Sequence, residues 1–303
     1  MNKYTEKLLK LLNITTLKDA YNIREDGKSI KRVSTKNIII ESHKNKPGLK
    51  ITIKKNTKNE NLYIPVIITK ENIEETVYND FYIEENVEVN IIAGCAIHND
   101  GEKTSIHKGV HTFYVGNNSK ITYTEEHLGN INNLNNKIID NTTNLNINEN
   151  STFNMFTIQK GGVYKSKRIT NATIEKNSNL NINEKLIISN EEEVNSLFNI
   201  NLNGKKSSLK ITSKTIAKDN SSSTFKSNVI GNNECFGHIE CDAIIMDKAT
   251  VTSLPAVTAK NKDANLTHEA AIGKIAKEEI EKLMTLGLSP KEAENTIINS
   301  FIN

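Results

Sequence analysis

A short polar turn recurs along the middle of this 303-residue chain, and each turn is followed by alternating apolar and polar residues. The spacing between turns is roughly 27 to 32 residues. The turns are Glu85-Asn86-Val87, Gly116-Asn117-Asn118-Ser119, Glu149-Asn150-Ser151, Lys176-Asn177-Ser178 and Lys206-Ser207-Ser208. A strand-only repeat of this length is typical of a solenoid, in which each coil buries its inward residues against its neighbours. An ordinary sandwich or barrel is the alternative, because its strands also recur at short spacings.

The composition agrees with a long domain whose strand faces are largely solvated. Hydrophobic residues make up 36% of the chain and charged residues 25%, and asparagine is abundant between Asn130 and Asn203. These asparagines alternate with Leu, Ile, Phe and Val, which indicates strands rather than disorder. The net charge of +3 is small, and no basic run is interleaved with aromatic residues, so a nucleic-acid partner is not expected.

Three zones are predicted along the chain. Residues 1–30 hold a short amphipathic helix and a linker, residues 31–255 form the strand-rich core, and residues 256–303 form a C-terminal helical segment. Charged residues interrupt the N-terminal apolar pattern, so it is not expected to be a signal peptide, and no segment approaches the roughly 20 apolar residues of a membrane span. Three cysteines, an odd number in a long chain, indicate reduced thiols and a cytoplasmic protein.

The C-terminal zone predicts a helical hairpin. Apolar residues from Ile275 to Leu286 fall near one helical face, and Gly287 suits the left-handed residue that ends a helix. Ser289-Pro290 with Glu292 is a capping box that begins a second helix. The hairpin could cap the solenoid or bind another subunit, and the sequence leaves both open.

Soft and intermediate metal ligands are densest between residues 235 and 269. Cys235, His238 and Cys241 are followed by the adjacent pair His268 and Glu269. Thiolate, imidazole and carboxylate groups are what iron, iron–sulfur or zinc chemistry requires. Adjacent residues point apart on a regular element, so the pair is predicted to lie at a strand-to-helix junction. The 27 positions between Cys241 and His268 match one coil, which predicts that Cys241 and the pair face one cavity.

The same region resembles a known family. The matching motifs are Glu240-Cys241-Asp242-Ala-Ile-Ile-Met246-Asp247, Ser253-Leu-Pro255, Thr258-Ala259-Lys-Asn261, Leu266-Thr-His268-Glu269-Ala-Ala-Ile-Gly273 and Leu286-Gly-Leu-Ser-Pro-Lys-Glu-Ala293, with a second match over His111–His127. They are similar to the C-terminal signature of the SufB/SufD family. The resemblance implies a mainly β protein, a right-handed parallel β-helix with a C-terminal helical hairpin. It also implies a scaffold that builds a transient iron–sulfur cluster with a SufC-like ABC ATPase held by the C-terminal helices.

The resemblance further implies pairing through the β-helix, as a homodimer or a heterodimer. Cys241 falls on the SufB cysteine implicated in cluster building, and His268 and Glu269 fall on the family's His-Glu pair. Cys235 and His238 match the pattern of compact family members. Thr267 stands where the family has an acidic residue, and the chain is shorter than the larger SufB proteins at the N-terminus.

Each candidate also has a purely structural interpretation. Cys241 could be an inert core thiol within an apolar strand, whereas Cys235 is expected in a turn-like stretch with an exposed thiol. Glu269 could merely complement a helix dipole. Cys95 and His98 could be a ligand pair, but Cys95, His98, His107 and His111 are expected to be turn and surface residues, and the role of His127 is left open.

The chain is not expected to be an enzyme. Gly273-Lys274 lacks the glycine five residues upstream that a P-loop needs, because His268 stands there. ATP hydrolysis is therefore expected in a partner. A SufD-like structural subunit without a cluster is one alternative function. A β-solenoid carbohydrate-active enzyme is another, although three arginines provide few basic groups for a lyase.

Overall fold

The computed structural model describes residues 3–130 and 134–302. Within them, helix α1 (Lys3–Leu11) precedes a long series of strands, and helices α2 (Lys277–Thr285) and α3 (Pro290–Ile302) follow it. The strands are β1 (Ala20–Glu25), β2 (Lys28–Val33), β3 (Ile38–Ser42), β4 (Gly48–Ile53), β5 (Lys58–Ile68), β6 (Glu74–Ile83), β7 (Glu88–Ile97), β8 (Ser105–Val115), β9 (Lys120–Gly129), β10 (Lys137–Ile147), β11 (Thr152–Gln159), β12 (Lys165–Ile174), β13 (Asn179–Ile188), β14 (Glu193–Leu202), β15 (Ser207–Ala217), β16 (Ser222–Gly231), β17 (Cys235–Ile245), β18 (Thr250–Ala259) and β19 (Ala264–Gly273). A short 3₁₀ helix, Leu134–Asn136, precedes β10.

Successive strands alternate between two sheets, so the chain winds as a parallel β-solenoid. One sheet has the order β19-β17-β15-β13-β11-β9-β7-β5-β1-β2, and the other has the order β18-β16-β14-β12-β10-β8-β6-β4-β3. From β5 onward each strand pairs in parallel with the strand two positions later, as β13 does with β15. The solenoid prediction is confirmed, and a sandwich is excluded because its neighbouring strands would not pair in this way.

Inward and outward residues alternate along most of the strands, although β5 and β7 end in runs of buried residues. In β13, Leu180, Ile182, Glu184 and Leu186 are buried, while Asn181, Asn183 and Lys185 between them are partly exposed. Aromatic rings stack between coils in the core, as Phe81 and Phe113 do with centroids 4.2 Å apart. This period of two puts one face of each strand into the space between the sheets.

Asparagines on the outer face form ladders that link successive coils. Asn171 Nδ2 donates to Asn144 Oδ1 at 2.9 Å, and Asn199 Nδ2 donates to Asn171 Oδ1 at 3.0 Å. The abundant asparagine therefore satisfies its own hydrogen bonds on a solvated sheet face. A chain with modest apolar content stays folded because only one face of each strand needs apolar residues.

The recurring polar turns are the corners of the coils. Asn86, Asn118, Asn150 and Asn177 have φ values of 56 to 57°, in the left-handed region that asparagine tolerates. Behind the corners, serine hydroxyls connect one coil to the next: Ser119 N donates to Ser151 Oγ at 3.1 Å. The predicted period is therefore the number of residues between one corner and the equivalent corner of the next coil.

Helix α1 and two antiparallel hairpins complete the N-terminal part of the solenoid. At the N-terminal end, Leu8 and Leu9 of α1 and Leu12 just after it are buried with Ile23 and Ile67, and the hairpins β1–β2 and β3–β4 are antiparallel. The strands run from Ala20 to Gly273, so the strand region is wider than the predicted 31–255 at both ends. Among the described residues, no helix combines the length and apolar composition needed to cross a bilayer.

The C-terminal helices pack beside the solenoid as the predicted hairpin. Gly287 has a φ of 97° after the end of α2. The Ser289 N–H donates to Glu292 Oε2 at 2.8 Å and the Glu292 N–H donates to Ser289 Oγ at 3.4 Å, so the capping box is confirmed. Ile298 and Ile302 of α3 pack on Ile216 of β15.

We predict that Asn118 tests the corner geometry. Asn118→Val should lower the free energy of unfolding by about 1–2 kcal/mol, because a β-branched residue resists the left-handed conformation. Asn118→Gly is the matched control and should cost less, because glycine adopts positive φ freely. Chemical denaturation followed by circular dichroism measures both. Equal stability of the two variants would contradict the role given to the corner.

Candidate functional site

The cysteine-rich segment is strand β17, and the His-Glu pair lies on its neighbour β19. Cys235, Ile239 and Cys241 point into the solenoid, whereas His238 and Glu240 are on its outer face. Cys235 begins the strand and is 6% exposed, so the prediction that it is an exposed thiol in a turn is wrong. Strand alternation separates the cysteines from His238.

Strand β19 divides the His-Glu pair between the two faces. His268 pairs with the inward Ile239, and Glu269 pairs with the outward Glu240. The predicted stacking on neighbouring coils is confirmed. The prediction of one shared cavity is wrong, because Glu269 is on the opposite face from Cys241. The expected strand-to-helix junction is also wrong, since both residues lie inside β19.

The inner-face set consists of Cys235, Cys241 and His268. Cys241 pairs with Ala270, so His268 is the inward residue diagonal to it. Strand geometry places the Cα atoms of Cys241 and His268 about 8 Å apart, whereas Cys235, six residues earlier on the same strand, is roughly 20 Å from Cys241. Burial raises the pKa of Cys241 to about 11, and the neighbouring Ser253 hydroxyl partly offsets that rise. Burial also raises the pKa of Cys235. Both side chains are therefore neutral thiols at pH 7 until a metal or a base removes the proton.

The outer-face set consists of His238, Glu240 and Glu269. His238 Nε2 lies 3.1 Å from Glu269 Oε1, and its Nδ1 lies 2.9 Å from the Thr267 hydroxyl. One ligand atom from each of the three residues lies within 4.8 Å of the others. Nitrogen and carboxylate donors of this kind suit a divalent ion such as Fe²⁺. Sequence reasoning missed Glu240, although its two-residue spacing from His238 was the available signal.

The site lies at the open end of the solenoid. No coil follows β18 and β19 within the described residues, so β19 pairs only with β17 and β18 only with β16. His268 is exposed although it points inward. The last coil therefore leaves two sheet edges and an inner surface accessible beside the buried thiols.

A buried polar network fills the solenoid interior further toward the N-terminus. Asn141 Nδ2 donates to Glu125 Oε1 at 2.7 Å, and Arg168 Nη2 donates to His127 Nδ1 at 3.0 Å. His127 Nε2 lies 3.4 Å from Glu125 Oε1. Despite burial, the interaction with His127 and the charge of Arg168 hold the pKa of Glu125 well below its usual value. Glu125 is therefore ionised inside the protein.

Several residues buried in this part of the solenoid were expected to be surface residues. His107, His111 and Cys95 are at most 6% exposed, so that expectation is wrong. Burial lowers the pKa of His111 to about 4 and raises the pKa of Cys95 well above its usual value. Cys95 packs with Val66, Ile97 and other apolar residues. The alternation of the strands was the signal that could have placed these residues inside.

Polar inward positions continue from this network to Cys241. Glu125 and Glu184 both pair with Thr157, Glu184 pairs with Ser213, and Ser213 pairs with Cys241. The Ser213 hydroxyl donates to Glu184 Oε2 at 2.7 Å. A buried row of polar side chains thus crosses five coils of one sheet and ends at the cysteine.

Comparison with known proteins matches this chain to one family. The sequence model described as SUF system FeS cluster assembly, SufBD core domain, matches residues 67–301. An iron–sulfur cluster assembly SufBD family protein of Archaeoglobus fulgidus is 28% identical over 236 residues, which cover 75% of this chain and 60% of the relative. One of Methanocaldococcus jannaschii is 27% identical over 241 residues, covering 78% of this chain and 74% of that protein.

A bacterial relative matches a shorter segment of the chain. The iron–sulfur cluster assembly protein SufB of Bacillus subtilis is 39% identical over 66 residues, covering 22% of this chain and 14% of that protein. The chain thus aligns with about three fifths of the length of the Archaeoglobus relative. With the parallel solenoid and the motifs of β17 and β19, these matches show that the chain belongs to the SufBD family of iron–sulfur cluster assembly proteins.

Proposed function

We propose that this protein is a scaffold on which a transient iron–sulfur cluster is assembled. The observation that carries the proposal is the placement of Cys241 and His268 as diagonal neighbours on one inner face at the open end of the solenoid. Thiolate sulfur binds iron strongly, and imidazole is a more readily exchanged ligand. One thiolate and one imidazole hold a cluster less firmly than four cysteines would, which suits a cluster that must leave.

The outer-face set is proposed to hold iron before it joins the cluster. Its nitrogen and oxygen donors are harder than thiolates, and they are partly exposed. His238 Nδ1 is already fixed by Thr267, which leaves Nε2 to face the two carboxylates. In this proposal the outer face provides ligands for iron(II), and the inner face provides different ligands for the growing cluster.

A SufC-like ABC ATPase is proposed to bind the α2–α3 hairpin. The hairpin buries Ile298 and Ile302 against the solenoid. It also presents Met284 and Leu286, which are 41% and 79% exposed. Apolar residues beyond those that the hairpin buries are what a docking surface requires. The chain has no P-loop sequence, so a partner would supply the ATP hydrolysis, and we expect no enzymatic activity of the scaffold itself.

A second SufB-like or SufD-like chain is proposed to pair with the open end. The exposed edges of β18 and β19 offer unpaired backbone groups, and such edges are normally covered in native proteins. Pairing here would bury His268 and bring a second set of ligands toward Cys241. We also expect a cytoplasmic location, because the three cysteines are free thiols.

A SufD-like subunit without a cluster is the second candidate function. The burial of Cys241, which is 2% exposed, is the observation that favours it. A thiol that never ligates metal would behave as a small core residue. Both functions belong to the same assembly system, and cluster reconstitution distinguishes them.

Anaerobic reconstitution with iron and sulfide tests the scaffold role. We expect the wild-type protein to develop visible sulfur-to-iron charge-transfer absorbance and Cys241→Ser to lose it while keeping its circular dichroism. Cys95→Ser is the matched control, because Cys95 is also a buried thiol but lies among apolar residues away from the site. No absorbance in the wild type would favour the SufD-like function, and a normal cluster on Cys241→Ser would remove this cysteine from the site.

Alkylation kinetics test the protonation state of the site. With a pKa of about 11, only about one Cys241 side chain in a thousand is a thiolate at pH 8, so iodoacetamide should react slowly with the native protein. The rate should rise about tenfold per pH unit below that pKa, because only the thiolate is nucleophilic. Peptide mass spectrometry measures the rate, with urea-unfolded protein as the control. Equal rates for native and unfolded protein would contradict the burial described here.

Substitution of an exposed hairpin residue tests the ATPase surface. Leu286→Asp should weaken binding to the partner ATPase at least tenfold, since it places a charge in an apolar contact. Thermal stability should be unchanged because Leu286 is 79% exposed. Leu11→Asp, on α1 and 46% exposed, is the control and should bind normally. Unchanged binding of Leu286→Asp by calorimetry would rule out this surface.

A further inference from the structure

A polar cavity opens between the two sheets at the N-terminal end of the solenoid, far along the chain from β17 and β19. Its volume is about 190 Å³, and β1, β2, β4, β5 and β6 with the loop before β4 contribute to it. Two of the three arginines of the chain, Arg24 and Arg32, line this cavity. The proposed cluster chemistry uses none of its residues.

Arg32 is the group that gives the cavity its charge. Its Nε donates to Asn22 Oδ1 at 2.9 Å, and its two terminal NH₂ groups have no ion-pair or hydrogen-bond partner among the described residues. Arg24 differs, because Glu75 Oε2 accepts from its Nε at 2.6 Å and the Gly27 carbonyl accepts from its Nη2. Arg32 therefore offers a planar pair of donors that matches a carboxylate.

The other charged side chains near the cavity are paired with groups of opposite charge. Lys46 Nζ lies 2.8 Å from Asp80 Oδ2, and His43 Nε2 lies 3.2 Å from the same atom. With Arg24 paired to Glu75, the cavity keeps one uncompensated positive charge at Arg32. One uncompensated positive charge favours a ligand that carries a single negative charge.

Asn79 gives the cavity a second recognition element. Its side chain lines the cavity and is 4% exposed, and its Oδ1 has no hydrogen-bond partner among the described residues. Its Nδ2 lies 3.4 Å from His111 Nε2, which fixes the orientation of the amide. A buried acceptor without a partner is costly, so the site favours a ligand or a water that donates to it.

Part of the wall is apolar, and the space is small. Pro47, Leu49 and Val77 contribute aliphatic surface. The volume is below the roughly 300–1,000 Å³ of pockets for drug-sized ligands. A ligand of a few heavy atoms fits these limits, and a nucleotide does not.

We propose that this cavity binds a small aliphatic carboxylate that carries a hydrogen-bond donor next to the carboxylate group. Arg32 pairs with the carboxylate through its two terminal nitrogens, the neighbouring hydroxyl or ammonium group donates to Asn79 Oδ1, and the short aliphatic body packs on Leu49 and Val77. An α-hydroxy acid and an α-amino acid share this chemistry. The single positive charge favours the α-hydroxy acid, which is a monoanion, over the zwitterionic amino acid.

Isothermal titration calorimetry of the 303-residue protein with L-lactate, L-alanine and propionate tests the site. We expect one saturable site with a Kd at or below about 1 mM for the preferred acid. Propionate, which lacks the donor, should bind about tenfold more weakly. Tighter binding of lactate assigns an α-hydroxy acid and tighter binding of alanine an α-amino acid, and either supports the proposal.

Three variants separate the two contacts. Arg32→Gln should weaken the binding of every acid at least tenfold, measured as an increase in Kd. Asn79→Leu should abolish the preference over propionate while leaving propionate binding in place. Lys28→Gln is the control, because it removes a charge from the same strand outside the cavity and should change nothing. Circular dichroism checks that each variant is folded.

Two results would overturn the proposal. No saturable binding of any of the three acids up to 10 mM, a concentration of about ten times the expected Kd, would show a water-filled cavity only. Unchanged affinity in Arg32→Gln would place the bound acid elsewhere. Cluster reconstitution does not involve Arg32, so failure of this site leaves the scaffold role untouched, and failure of the scaffold role leaves this site untouched.

Discussion

The left-handed corner of each coil is the constraint on which the rest of the structure depends. Asparagine at positive φ turns the chain by the same amount at Asn86, Asn118, Asn150 and Asn177. The strands therefore meet in register, with inward residues above inward residues. A slip of one residue would exchange the two faces of a strand. This register places the buried thiols of β17 on the inner face and its partly exposed histidine, His238, on the outer face.

That register also joins residues that are distant in sequence. Polar inward positions on β9, β11, β13 and β15 stack into a row that ends at Cys241. Buried polar groups are costly unless each finds a partner. Here Glu184 accepts from the hydroxyls of Ser196 and Ser213. A solenoid that only needed to fold would have placed apolar residues at these positions, so the row is a feature that stability does not explain.

Much of the fold could be predicted from the sequence, because its determinants are local. The corner asparagines, the alternation and the capping box of Ser289 and Glu292 are all short-range signals. The faces of His268 and Glu269 could not be predicted from the repeat, because its length varies. Stacked residues are 27 positions apart at Asn150 and Asn177, but 29 apart at His238 and Thr267. Since an error of one residue reverses the face, a spacing known only within a range cannot assign Glu269. Alternation within β17, by contrast, was sufficient to separate His238 from Cys241.

The division of the ligands between two faces is the central claim, and pulsed electron paramagnetic resonance of the reduced, reconstituted cluster tests it most directly. Protein labelled with ¹⁵N-histidine should show one strongly coupled nitrogen. The coupling should disappear in His268→Gln, whose side chain shares the inner face with Cys241, and persist in His238→Gln, whose side chain is on the outer face. Loss of the coupling in His238→Gln with retention in His268→Gln would contradict the account.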